Sequence, residues 1–375
     1  MPWRTVSVMS LRKEFIILAQ SKVVSFSELC RRFDISRKTG YKWLNRFRKQ
    51  GKAGLRDRSR RPQTIARRVC AVTEQQIISL RKATGWGARK IRRRLQDLGT
   101  VSVPACSTIT TVLNRHGLID PDEPGGRKDW QRFEHPVPNS LWQMDFKAPV
   151  RTIAGECHPL SVLDDHSRFN LCLRALANQK TAAVKETLTE TFRCYGLPDT
   201  LLMDNGSPWG GHARHPYTTL TVWLIQLNIH VSHSRSYHPQ TLGKDERFHR
   251  TLNEELISQY QWRDLVHLQE AFDWWRPRYN LERPHDSLDL NVPASRYQPS
   301  LRSFPELLPP IEYPSDMLVR KVQDGGFVHF KGRTFRLSSA LHGYPVGFNP
   351  TRNDGVFDVM FCQHRIKRID LTSNL

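Results

Sequence analysis

Nearly all the net positive charge of this 375-residue chain sits in its first third. Residues 1–130 hold 29 Lys and Arg against 10 Asp and Glu, a net of +19, whereas residues 131–375 hold 28 against 26, a net of +2. Such a chain does not read as one uniformly charged body. A polycationic arm on a nearly neutral body is the electrostatic footprint of nucleic-acid binding. A membrane-surface arm would carry a similar charge, but also an amphipathic helix with an exposed apolar face. At about 150 residues per domain the length implies two or three domains, and a hydrophobic fraction of 38% argues against wholesale disorder.

Several classes drop out. No apolar run approaches the ~18 residues of a membrane span. The run Phe15–Ala19 is too short and too badly flanked for a signal peptide. Seven cysteines are scattered without a CxxC pair, which disfavours a disulfide scaffold or a cysteine-rich zinc finger and points to a reducing cytoplasm. No GxxxxGK[ST] phosphate loop is present.

Within the arm, residues 25–51 read SFSELCRRFDISRKTGYKWLNRFRKQG. Ser27 is a candidate N-cap for a short helix burying Leu29 and Phe33; Ser36 caps a second helix with Tyr41, Leu44 and Phe47 as its apolar positions. Arg37, Lys38, Lys42, Arg46 and Lys49 fill the rest of that helix, and Gly51 ends it. This matches helix-turn-helix geometry, in which the second helix enters the major groove; the plain alternative is a helical hairpin with a solvated basic face. A basic linker follows, then Thr73-x-x-Gln76 as a capping box, a helix over 88–97 carrying Arg92, Arg93 and Arg94, and a helix after Pro104 that buries Ile109, Val112 and Leu113 and stops at Gly117. Two such modules suit an extended, bipartite DNA site.

From residue 141 the pattern becomes strands and helices. Strands are expected at 141–146, 159–163, 171–176, 200–203 and 229–231, with helices at 180–195, 217–227 and 243–259, a mixed α/β sheet with helices on its faces. Asp145 lies at the end of the first strand, Asp204 ends the strand 200–203, and Glu246 lies in the first turn of the long helix. Three converging carboxylates form the oxygen-rich set that Mg²⁺ or Mn²⁺ prefers. Two such ions, roughly 4 Å apart, activate an attacking oxygen and stabilise a leaving one in phosphodiester displacement. Any three of 36 acids can also be picked by chance.

The blocks WQMDFK (142–147), LLMDNGSPW (201–209), HPQTLGKDERFHRTLNEEL (238–256) and YNLERPHDSL (279–288) resemble the catalytic core of DDE transposases and retroviral-type integrases, most of all bacterial insertion-sequence transposases with N-terminal helix-turn-helix modules. The resemblance spans nearly the whole chain. It implies a ribonuclease-H-like core with Asp145, Asp204 and Glu246 as catalytic metal ligands, two ions per site, and strand cleavage and transfer at the ends of a mobile element. It also implies DNA contacts from Lys244, Arg247 and Arg250, a homo-oligomer on terminal inverted repeats and target DNA, and a cytoplasmic, nucleoid-associated protein. Two positions depart from the family: Leu242, where Asn is usual, and Asn253, where Lys or Arg is common. They keep open a sequence-specific DNA-binding regulator with an inactive core; a ribonuclease-H-type nuclease would not need two helix-turn-helix modules.

The expected layout is a helix-turn-helix domain at 1–51, a basic linker at 52–72, a second helix-turn-helix-like domain at 73–119, a linker at 120–138, the catalytic core at 139–298, a Pro-rich linker at 299–316 and a small β-barrel or sandwich at 317–375. By resemblance that last domain binds DNA or links protomers. Asp164-Asp165-His166-Ser167 reads as a turn with a structural or substrate-orienting role. Asp245, next to Glu246, points about 100° away on a helix, so only one of them faces the sheet edge, and the motif favours Glu246. His212-x-x-His215 and His230-x-x-His233 have the look of paired metal ligands, but an all-histidine structural zinc site is unusual, and loop histidines near DNA are the simpler reading. Trp262, Trp274 and Trp275 read as core aromatics, with stacking on bases as the alternative.

Overall fold

The computed structural model describes residues 8–58, 69–119, 134–210, 217–233 and 243–372. His212, His215 and Leu242 lie outside them, as do residues 59–68 of the expected linker at 52–72 and residues 120–133 of that at 120–138. The chain divides into two compact units, Met1–Arg68 and Val69–Leu375.

The first unit is trihelical: α1 (Val8–Ser21), α2 (Phe26–Arg32) and α3 (Arg37–Gln50), closed by a 3₁₀ turn at Gly51–Leu55. The run Phe15–Ala19 belongs to α1, whose Phe15 and Ile16 are buried against Leu29, Cys30, Trp43, Leu44 and Leu55. Gly40 lets α3 approach closely, because a Cβ there would stand 2.7 Å from Cys30 Sγ. Two expectations are corrected. The N-cap of α2 is Ser25, whose hydroxyl accepts the Glu28 N–H, rather than Ser27. Trp43, not Tyr41, is the inward aromatic of α3; Tyr41 is exposed and stacks on Phe26. Ser36 caps α3 as expected, accepting from Thr39 N–H.

The second unit opens with α4 (Ala71–Thr84), α5 (Ala88–Asp97) and α6 (Cys106–Arg115) around Ile77, Trp86, Ile91, Leu95, Ile109, Val112 and Leu113. Cys70 caps α4, so the expected box fails; Thr73 is the residue three positions on, and it is buried. A six-stranded sheet follows, with β1 (Leu141–Phe146), β2 (Val150–Thr152), β3 (Gly155–Asp164) and β4 (Asn170–Leu176), then α7 (Thr181–Tyr195), β5 (Thr200–Met203), α8 (Thr219–Gln226) and β6 (His230–His233). β1 pairs antiparallel with β3 and parallel with β5, which pairs parallel with β6; β4 is antiparallel to β3. The mixed sheet matches the expected α/β core. The short β2 had no sequence signal, being only three residues long.

Trp142 and Met144 of β1, Leu201 and Met203 of β5 and the inner sides of α7 and α8 share one core cluster. Leu163 and Leu173 pack in a second cluster with Phe248 and Leu252 of α9 (Gly243–Glu255) and Leu268, Phe272, Trp275 and Tyr279 of α10 (Leu265–Leu281). Trp262 and Trp275 are therefore core residues, whereas Trp274 is exposed beneath the Arg278 guanidinium. Edge strand β4 is covered by α10: Gln269 accepts from Ala175 N–H and donates to Leu173 O, Arg276 donates to Leu171 O, and Asn280 exchanges two hydrogen bonds with the Asn170 backbone.

The stretch expected as a Pro-rich linker adheres to this core. Arg302 donates to the carbonyls of Pro198, Leu227 and Asn228. Beyond it lie β7 (Leu318–Lys321), β8 (Phe327–Phe330), β9 (Arg333–Arg336), β10 (Pro345–Pro350), β11 (Val356–Phe361) and β12 (His364–Asp370). They form a four-stranded antiparallel sheet, β12-β11-β10-β7, and a separate β8-β9 hairpin around Phe330, Phe348 and Phe361. β10 and β12 carry too few alternating apolar residues to be read as strands from the sequence. This all-β region packs on Val222 and Ile225 of α8, covering the β6 side of the sheet.

The α4–α6 module is clamped to the core by charge. Glu255 accepts from both the Trp86 indole N–H (3.1 Å) and Arg283 Nε (2.7 Å), Arg94 pairs with Glu282 (2.8 Å), and Arg89 and Lys90 face Asp286. Removing Glu255 strands a buried guanidinium and a buried indole donor. Glu255→Ala is expected to cost about 3 kcal/mol, the low end for breaking a buried pair. Urea denaturation checks this; a loss below about 1 kcal/mol would mark the contact as an ordinary surface pair.

Candidate active site

Alternation along β1 sends Trp142 and Met144 into the α7/α8 core, so Gln143 and Asp145 point to the opposite face, under α9. Gln143 is level with Leu202 in the parallel β1–β5 pair. Continued by two residues, that register brings Asp145 level with Asp204, at the carboxyl ends of adjacent parallel strands. Loops there carry no ladder constraint, which is why such ends collect functional groups.

Charge crowds this face. Burial pushes the Asp145 carboxyl up to about 7, with the negative charges of Asp204 and Glu246 adding to it. Asp204 Oδ1 accepts the backbone N–H of Gly206 (2.9 Å) and the indole N–H of Trp209 (2.6 Å), and its carbonyl faces His233 Nδ1 at 2.9 Å. Glu246 is exposed in the first turn of α9. Among the described residues no three His, Cys, Asp or Glu side chains are grouped closely enough to hold one metal ion.

The structure turns Asp245 inward instead. It is fully buried, neither carboxylate oxygen has a hydrogen-bond partner among the described residues, and burial together with Asp145 and Asp165 raises its pKa well above the usual carboxylate range. The signal for this was in the sequence: Asp245, Phe248 and Leu252 stand at i, i+3 and i+7, the stripe of a buried helix face. His249 was also missed. Its Nε2 lies 2.8 Å from Ser161 Oγ and its Nδ1 3.9 Å from Asp145 Oδ2, and burial with nearby Lys147 lowers its pKa to about 4, leaving it neutral.

The Asp164–Ser167 turn is a hydrogen-bond hub. Asp164 accepts from Ser167 and from Asn139 N–H; Asp165 accepts from Gln143 Nε2 (2.7 Å), from His135 N–H (2.8 Å) and from the Lys244 ammonium. The Lys244 ammonium is thus held at Asp165. Arg247 and Arg250 are exposed on α9. On α3, Arg37, Lys38 and Lys42 are exposed and Arg46 is half-buried, with Lys42 and Arg46 resting on the Trp43 ring. On α5, Arg92 is exposed, whereas Arg93 pairs with Asp97 at 2.9 Å. His230 and His233 diverge: His230 stacks on His364, and His233 bonds the Asp204 carbonyl.

The folded state holds the Asp145 proton more tightly than the unfolded chain does. That contribution is complete below about 4, the ordinary aspartate value, and is lost as pH rises through about 7. In EDTA, Asp145→Asn is therefore expected to be more stable than the parent at pH 8, with the gap closing toward pH 4. Denaturation series across pH check this; a gap independent of pH would contradict the crowding.

Residues 135–239 and 227–293 match the integrase core domain family, 11–63 a helix-turn-helix domain, 39–113 a homeodomain-like domain, and 317–374 the C-terminal domain of the IS481 transposase family. Over 158 residues the chain is 22% identical to the insertion element IS407 uncharacterized 31.7 kDa protein of Burkholderia multivorans, covering 42% of this chain and 55% of that protein. It is 24% identical over 168 residues to the insertion element IS476 uncharacterized 39.2 kDa protein of Xanthomonas euvesicatoria, covering 44% and 46%. The chain thus spans about half the length of these relatives. Among solved structures, a simian T-cell lymphotropic virus intasome in complex with PP2A regulatory subunit B56 gamma aligns at 13% identity and TM-score 0.39, over 76% of this chain and 91% of that one. Helix-turn-helix, integrase core and transposase C-terminal matches fall in one order along the chain, with insertion-element proteins as its relatives, and together they support an insertion-sequence transposase of the integrase superfamily.

Proposed function

We propose that the chain is a DNA transposase that binds the terminal inverted repeats of a mobile element and carries out metal-dependent strand cleavage and strand transfer. The observation that carries this reading is the gathering of Asp204, from the neighbouring parallel strand, and Glu246, from α9, around Asp145, whose carboxyl is raised to about 7 by burial, with those two negative charges adding to it. A face this rich in oxygen acceptors fits a hard divalent cation. Asp145, Asp204 and Glu246 would hold Mg²⁺ or Mn²⁺, two ions per site, which when bound supply activation of the attacking oxygen and stabilisation of the leaving one.

This chain's own residues do the positioning. Trp209 and Gly206 fix the Asp204 carboxylate, and Ser161 orients a neutral His249 beside Asp145. The basic α3 and α5 helices would track phosphates, with Arg37, Lys38, Lys42, Arg46, Arg92 and Arg93 in contact, joined by Lys244, Arg247 and Arg250 near the site. The domain layout given above, a homo-oligomer on DNA and a cytoplasmic, nucleoid-associated location belong to the same reading. No helix among the described residues is long and apolar enough to cross a membrane.

One observation favours the rival, a DNA-binding regulator with an inactive core: Asp204 Oδ1 already accepts two donors. Strand transfer separates the two. Purified protein, labelled terminal-repeat DNA and supercoiled target are expected to give joined product with Mg²⁺ but not EDTA, lost in Asp204→Asn and Glu246→Gln. Repeat binding without cleavage in either Mg²⁺ or Mn²⁺ would favour the regulator. Affinity for the repeats is also expected to fall by orders of magnitude between about 50 and 200 mM salt, because several phosphate contacts release counterions. A flat salt response would contradict the role given to the basic helices.

A further inference from the structure

Beside the acids lies a cavity of about 530 Å³, lined by Lys147, Val150 and Arg151 on the β1–β2 side and by Asn253, Tyr260 and Trp262 on the other. It adjoins the candidate site along two elements. Lys147 follows Asp145 by two residues, and its N–H still pairs with Pro159 O, so it stays on the Asp145 side of the ladder. Asn253 follows His249 by one helical turn, about 5.4 Å along α9, and His249 itself lies 3.9 Å from Asp145. Two lining residues, Lys147 and Asn253, thus lie two residues from Asp145 and one helical turn from His249.

Its chemistry is two-sided. Val150 and Trp262 form a buried apolar floor, and the Tyr260 ring, 65% exposed, stands edge-on to Trp262 with centroids 5.8 Å apart. Lys147 and Arg151 supply positive charge at the rim, and among the described residues neither forms an ion pair; Glu156 stands opposite Arg151 across the hairpin without bonding it. Half-buried Lys147 has no carboxylate to neutralise it, which is costly for a cation unless an anion arrives. An aromatic wall, an apolar floor and unpaired cations at the mouth suit a base with its phosphate.

We infer that this cavity takes one unpaired nucleotide of a DNA strand next to the reacting phosphate, with Lys147 and Arg151 on the backbone, Tyr260 stacked on the base and the Asn253 amide at its edge. The inference rests on the reading that the chain acts on DNA, but needs no catalysis. The nucleotide could belong to an element end or to target DNA, since both offer the same chemistry.

The full chain in EDTA would be titrated with three duplexes of one mixed sequence: blunt, with a three-nucleotide 5′ tail, and with a three-nucleotide 3′ tail, each tail carrying 2-aminopurine. One tailed duplex is expected to bind at least about tenfold more tightly than the blunt one, with quenched 2-aminopurine; its polarity identifies the strand. Repeating the titration with that tail on the terminal-repeat duplex and on an unrelated duplex assigns it to element end or target. Lys147→Gln with Arg151→Gln should abolish the tail's advantage while leaving blunt-duplex affinity unchanged, which also shows that the double variant is folded. Tyr260→Ala should abolish the quench, and Tyr260→Phe should keep it. Equal binding of tailed and blunt duplexes by the parent chain would overturn the inference and leave the transposase reading standing. Absence of binding to any duplex, terminal-repeat duplexes included, would overturn both.

Discussion

The parallel pairing of Leu141–Phe146 with Thr200–Met203 is the constraint on which the rest of the molecule depends. One register fixes both the core and the chemistry. One face sends Trp142, Met144, Leu201 and Met203 into a single apolar cluster, and the other brings Asp145 level with Asp204. A slip of one residue would exchange the faces, burying the acids among aromatics and presenting Trp142 to α9. The apolar cluster is thus what holds two carboxylates together against their repulsion.

That repulsion shapes everything laid over the face. Asp145, Asp165, Asp204, Asp245 and Glu246 converge on a small area, and Lys244 is the one cation held there by a described contact, at Asp165. Hydrogen bonds from Ser167, Gln143, Trp209 and backbone N–H groups hold Asp164, Asp165 and Asp204. Among the described residues Asp245 has none. The acids of this face outnumber the cations that the described contacts hold on it.

The basic arm divides by use. On α5, Arg89, Lys90 and Arg94 engage Asp286 and Glu282 of the core, leaving Arg92 outward. On α3, Arg37, Lys38 and Lys42 remain exposed. Helical charge that looks alike in the sequence therefore serves both as internal clamp and as outward-facing surface, and only partners distant in sequence distinguish the two.

What the sequence determined by itself was what local chemistry can dictate. Alternation located β1 and an apolar run located β4, the cap Ser36 and the stop Gly51 bounded α3, and apolar spacing picked out Ile109, Val112 and Leu113. The acidic blocks, by resemblance, named the family. Short edge strands such as Val150–Thr152 and His364–Asp370 escaped because their partial burial leaves little apolar pattern to read. Tertiary structure alone decided that Lys244 engages Asp165 and that Glu255 ties Trp86 to Arg283. Each of these depends on which face of a helix meets which strand or helix, and that is settled by packing across more than a hundred residues of chain rather than by neighbours in the sequence.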